Sequence, residues 1–143
     1  MAITVKRVET AYVAQAWPLV KEFIKDALEK AQSEDKSTHN YTVDHVQAFL
    51  ASGQWLLLVG VNENGGVVGA ATVSFINYPR HRVAFITSIG GYLISSRDTF
   101  EQLKTILKAH GATKIQGYGR ESIVRLWKRY NFEPRATLVE VLI

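Results

Sequence analysis

Ser95, Ser96, Arg97, Asp98 and Thr99 stand together where a helical apolar repeat begins, and they carry the first chemistry this chain offers. Hydroxyls and a guanidinium at a helix start could hold an anion such as a phosphate, through hydroxyl hydrogen bonds and a charge-assisted pair. Asp98 opposes that use, because a carboxylate in the first turn repels an anion. The competing reading is structural: Ser95 or Ser96 caps the helix, and Asp98 complements its dipole. Just upstream, an apolar stretch closes with Ser88, Ile89, Gly90 and Gly91. Glycines at a strand end lend backbone N–H groups to a ligand, or mark a bulge or close backbone approach.

The imidazoles suggest less. His81 falls in a turn around Pro79, and His110 lies near a helix C-terminus, where charge is favoured but no reaction is implied. His39 and His45 lack a third ligand for a metal site. The strand Val83–Ile89 contains no carboxylate and no histidine, so it offers no simple general base. Arg125, Lys128 and Arg129 project from the last helix away from its Ile123, Trp127 and Tyr130 face, a stripe fit for solvent or for a polyanion. Arg120, between a strand and that helix, could bind a phosphate, a carboxylate or a backbone carbonyl.

Periodicity supplies the elements that must position these groups. Ile3–Val8 reads as a strand, and a helix capped by Thr10 runs to about Ala31, with Pro18 restarting or kinking it. Residues 32–40 are a polar loop. Thr42 caps a second helix that stops at Gly53. Trp55–Val61 and Val67–Ile76 are strands joined by the turn Asn62–Gly66, and Arg82–Ile89 is a third strand of that group. A helix then runs to His110 with Phe100, Leu103, Ile106 and Leu107 inward, and Gly111 ends it. Lys114–Gly117 is a short strand, Glu121–Tyr130 a helix, and Arg135–Leu142 a last strand. Hairpins first and a β–α–β crossover later make an α/β (α+β), mixed, mostly antiparallel twisted sheet with helices on both faces.

That element order resembles the GNAT (N-acetyltransferase-like) superfamily over nearly the whole chain, most strongly from Trp55 onward. Leu126 to Phe132 stands where the family has a pattern like L-Y-x-x-x-G-F, and Gly111 to Arg120 looks like its helix stop and fifth strand. The resemblance implies acetyl-CoA as cofactor, its pyrophosphate at the start of the third helix. The implied cofactor-binding residues are Ser88, Ile89, Gly90, Gly91, Ser95, Ser96, Arg97, Thr99 and Arg120. The family's glycine-rich R/Q-x-x-G-x-G/A turn is replaced here by Ile94 to Thr99, with no glycine. Its acidic tyrosine is replaced by Trp127, whose indole donates a hydrogen bond but gives up no proton. Tyr118 and Tyr92, after strand ends, and Tyr130 on the last helix are the remaining acid candidates.

The segment Phe85 to Leu107 also resembles GNAT-like proteins encoded by tailed bacteriophages, including internal virion proteins of short-tailed phages. This likeness implies a virion or accessory binding component, non-catalytic or catalytically degenerate, with phage structural proteins or a second copy as partners. An acyl-CoA-dependent N-acetyltransferase with an atypical cofactor turn is the alternative. A nucleic-acid-binding accessory domain is the second alternative and the least favoured.

Composition bounds these readings. The 143 residues fit one domain, and 47% are hydrophobic, enough for a sizeable core. Without cysteine there is neither a disulfide framework nor a thiolate metal site. No stretch reaches the roughly 20 apolar residues of a membrane span, and Met1–Val8 lacks the form of a signal peptide, so host cytoplasm or virion is expected rather than secretion. The net charge is +4, and the excess lies wholly in residues 97–143, which hold 9 Lys/Arg against 5 Asp/Glu.

Overall fold

The structure, a computed structural model, describes residues 2–34, 40–119 and 121–143. Arg120 and His39 therefore lie outside the described residues. Strand β1 (Thr4–Val8) leads through a 3-10 turn (Thr10–Tyr12) into helix α1 (Val13–Glu34). Helix α2 (Val43–Ala51) follows, then strands β2 (Leu56–Val61), β3 (Val67–Asn77) and β4 (Arg82–Gly91). Helix α3 (Arg97–Ala109), strand β5 (Lys114–Gly117) and helix α4 (Glu121–Trp127), extended by a 3-10 turn (Lys128–Tyr130), complete the elements. The sheet order is β1-β2-β3-β4-β5, antiparallel except for the parallel pair β4–β5 that the α3 crossover imposes.

Both faces of this sheet are covered, which is why β2 reads as an unbroken apolar run. Leu57 and Val59 pack with Ala70 beneath α1 and α2, against Val20, Ile24, Val46 and Leu50. Leu56 and Leu58 face the other way, with Ala71, Val73, Ala84 and the α3 residues Phe100, Leu103 and Leu107. Helix α1 buries Val13, Trp17, Val20, Ile24 and Leu28, one stripe at helical spacing.

Most terminators expected from sequence are in place. Thr42 caps α2, its hydroxyl accepting the His45 N–H, while His45 Nδ1 accepts the Thr42 N–H at 3.1 Å. Gly53 and Gly111 end helices at φ +80° and +86°, and Asn131 takes the left-handed conformation at φ 69°. The Asn62 side chain closes the β2–β3 turn by accepting the N–H groups of Asn64 and Gly66 at 3.0 and 2.8 Å.

Three expectations need correction. Thr10 opens the 3-10 turn that precedes α1 instead of standing outside the helix as its cap; Glu9 holds the cap position of that turn. Helix α1 does not restart at Pro18 but runs continuously from Val13 to Glu34. The proline sits one turn in, where its missing N–H removes a single ladder bond, and the buried stripe on both sides of it holds the helix together. Residues 135–142 form no strand: the chain after Asn131 pairs with no sheet edge, and all of 133–143 is exposed. Its alternation and β-propensity are those of a strand, but a strand exists only where an edge receives it.

Candidate functional site

The site is built by a defect in the β3–β4 ladder. Thr72 pairs with Ser88 and Val73 with Ile86, so Thr87 is an extra residue, a β-bulge on β4. Hydroxyls pin it. Thr87 donates to the Thr72 carbonyl at 2.9 Å, Thr72 Oγ1 lies 2.7 Å from Thr87 Oγ1, and Ser88 Oγ lies 2.6 Å from Thr72 Oγ1. Because the Thr87 proton is spent on the carbonyl, Thr72 donates to Thr87, and Ser88 in turn donates to Thr72. Thr72 and Ser88 are both buried, so this relay satisfies groups that water cannot reach.

Beyond the bulge the sheet forks. Strand β5 pairs with β4 only from Val83↔Lys114 to Ile86↔Gly117, while β4 continues to Gly91. The two strands part at the bulge, and β4 from Thr87 onward has no β5 partner. The fork opens into a cleft of about 640 Å³ bounded by α1 on one side and by Tyr118, Ile123 and Trp127 on the other. Of the residues singled out from sequence, Ser88, Ile89, Gly90, Gly91 and Tyr118 line this cleft; Tyr92, Tyr130 and the turn Ser95–Thr99 do not.

The three phenols differ accordingly. Tyr118 is 53% exposed, edge-on to Phe85 with centroids 5.1 Å apart, at the mouth of the fork. Tyr92 is exposed and does not line the cleft. Tyr130 is 9% exposed and stacked on Phe100 at 5.1 Å, a core residue by its surroundings.

Gly90 and Gly91 are close-approach glycines. A Cβ on Gly90 would stand 2.7 Å from the Phe23 carbonyl oxygen, where α1 lies directly on the strand end. Gly91 has φ +70°, and its Cβ would stand 2.7 Å from the Gly69 Cα and closer still to the Val68 carbonyl oxygen. The pair thus seats α1 and also forms part of the cleft wall.

At the start of α3 the hydroxyls bond to one another. Ser96 is the N-cap: its Oγ accepts the Thr99 N–H at 3.2 Å. Thr99 Oγ1 accepts the N–H groups of Ser95 and Ser96, both at 3.2 Å, and donates to the Ser96 carbonyl at 2.9 Å. Among this turn's donors, the N–H groups of Arg97 and Asp98, at the first two helical positions, have no partner within the helix. Arg97 turns away, donating to the Arg129 carbonyl at 2.8 Å with its guanidinium over the Tyr130 ring. Asp98 accepts from Gln102, which also bridges to the backbone of β1.

Sequence reading overlooked the cleft's α1 wall. Asp26 supplies a carboxylate there, with Phe23 and Ala27 beside it and Ser74 of β3 across the floor. No local pattern marks Asp26; it reads as the solvent face of an amphipathic helix and reaches the fork only because α1 crosses the end of β4. Among the described residues no group of three metal-ligating side chains clusters, and no helix is long and apolar enough to cross a membrane.

No family model matches this chain, and no curated protein matches it in sequence. Solved structures do match its shape. A tetramutant of the BH1408 protein from Bacillus halodurans superposes with a TM-score of 0.68 at 13% identity, over 100% of both chains. An aminoglycoside acetyltransferase from an uncultured soil metagenomic sample gives 0.67 at 15%, over 100% of this chain and 99% of its own. A predicted acetyltransferase from Clostridium acetobutylicum, solved with acetyl-CoA, gives 0.59 at 14%, over 99% and 96%. At such identities the likeness is one of fold: this chain has the GNAT-like fold shared by these structures.

Proposed function

We propose that this protein binds an acyl-CoA thioester in the β4–β5 fork and transfers the acyl group to an amine. The observation that carries the reading is the fork itself. A bulge held by three hydroxyls stops the β4–β5 ladder at Ile86↔Gly117 and leaves the β4 edge from Thr87 onward facing a cleft. Support comes also from the fold shared with acetyltransferases, one of them solved with acetyl-CoA.

The fit is good at the thioester end and sparse at the phosphate end. An extended pantetheine arm suits the unpaired β4 edge at Thr87–Ile89, whose backbone groups would bond it as a strand would. The pyrophosphate would meet the N–H groups of Arg97 and Asp98 and the helix dipole, opposed by the Asp98 carboxylate and without a glycine cradle. The cofactor, when bound, supplies the activated acyl carbon. Asp26, on the α1 wall, is placed to attract and orient an ammonium group, which loses a proton to solvent before the amine attacks. As the amide forms, the nitrogen would give its second proton to solvent, while Tyr118 at the fork mouth would protonate the departing thiolate and regain its own proton from solvent. Proximity in the cleft contributes the rest.

A second reading rests on the self-capped α3 turn, whose hydroxyls are occupied by one another: a protein that keeps the fold to bind a partner without catalysis. The phage virion or accessory role belongs to this reading and stands on sequence resemblance alone. Incubating the protein with acetyl-CoA and a panel of primary amines, and following free thiol release with product mass, separates the two. Acyl transfer supports the first reading; cofactor binding without transfer, or no binding, supports the second.

A further inference from the structure

A second hollow, of about 330 Å³, lies on the α3 face of the sheet, at the end of β4 opposite Gly90 and Gly91. Phe75 of β3 lines it and packs with the α3 core, whereas its neighbours Ser74 and Ile76 face the fork cleft on the other side. Two guanidinium groups and an imidazole border this hollow, those of Arg7, Arg82 and His110, and none of its lining residues is acidic.

Arg82 is held in place by neutral groups alone. Its Nε–H donates to the His110 carbonyl at 3.0 Å, an Nη1–H donates to Asn77 Oδ1 at 2.8 Å, and the guanidinium lies over the Phe75 ring, 4.2 Å from the centroid. The carbonyl at the end of α3 and the ring face attract the cation without cancelling its charge. No carboxylate among the described residues forms an ion pair with Arg82 or Arg7. Arg7, on β1, is exposed and spends none of its side-chain donors on the described residues. Two like charges brought to one hollow repel each other unless an anion joins them.

We propose that this hollow binds a phosphate dianion, free or carried by a small metabolite, at a site separate from the fork. The spent Nε of Arg82 closes one of the two edges by which a guanidinium grips a planar carboxylate. The remaining donors come from three elements: Nη2 of Arg82 on β4, the guanidinium of Arg7 on β1 and the hydroxyl of Thr10 in the 3-10 turn. Donors arriving from three directions suit a tetrahedral group with three acceptor oxygens. His110, whose Nδ1–H donates to the Ile106 carbonyl at 2.9 Å, and Trp55 complete the walls.

Amide NMR spectra of the intact protein, titrated with inorganic phosphate, test this. At roughly 0.1 M chloride the amides of Thr10, Gly53, Gln54 and Trp55 shift saturably with Kd below about 5 mM, and acetate at equal ionic strength binds at least about tenfold more weakly. Arg7→Gln raises the phosphate Kd at least about tenfold, while Lys6→Gln, which removes the exposed neighbouring cation outside the hollow, raises it less than about twofold. The same spectra show both variants folded. Glycerol phosphate separates the two sources: tighter binding than inorganic phosphate assigns the site to a phosphorylated metabolite, and binding no tighter assigns it to free phosphate. Shifts confined to Ser95–Thr99, shifts that do not saturate, equal affinity for acetate, or an Arg7→Gln protein that binds like the wild type overturns the proposal.

Discussion

Thr99 and Ser96 cap each other: each hydroxyl accepts the other's backbone N–H at 3.2 Å, and Thr99 also accepts that of Ser95. This reciprocal bond is where a GNAT-like fold would otherwise present donors to a pyrophosphate. On the proposed acyl-CoA reading it stabilises α3 at the expense of ligand donors, so stability and cofactor affinity would be opposed at Thr99. Thr99→Ala, at a buried site, should cost about 1–2 kcal/mol of stability, read from urea denaturation. If the account holds, it also leaves CoA affinity undiminished, because it frees the Ser95 and Ser96 N–H groups.

Tyr118 and Tyr130 should separate cleanly. Tyr118→Phe is expected to lower kcat for acyl transfer roughly a hundredfold with little change in KM, the behaviour of a lost proton donor. Tyr130→Phe keeps the stack on Phe100 and should change neither. Equal loss in the two variants would remove Tyr118 from its assigned place.

The glycines give a graded series. Gly91→Ala and Gly90→Ala should each destabilise by about 2–4 kcal/mol, because the added carbon meets backbone that cannot move. Gly65→Ala, with a similar positive φ but nothing within 4 Å, should cost only about 1 kcal/mol. Thermal melts of the three report the order.

Thr72→Val removes the middle of the hydroxyl relay and keeps the volume. A loss of about 1–2 kcal/mol is expected, with weaker acetyl-CoA binding, since the bulge that opens the fork loses one of its pins. Unchanged binding would show that the fork does not depend on those hydroxyls.

Much of the fold was legible because its signals are local. Thr42, Gly53, Ser96 and Gly111 act within a turn of themselves, and the stripes of α1 and α3 repeat at helical spacing. The fork was legible only as a glycine pair and a polar Thr87-Ser88 step, since a bulge is a relation between two strands. Asp26 was illegible, being brought to the cleft by a helix some sixty residues upstream of β4's end. Residues 135–142 show the converse: a clear strand pattern that pairs with no edge of the described sheet.

The most direct test of the central claim is calorimetric titration of the purified protein with acetyl-CoA. Saturable binding with Kd below about 100 µM, weakened by Thr72→Val, is expected. The absence of heat at millimolar acetyl-CoA, with the fold intact by circular dichroism, would contradict it and leave the fork without its thioester.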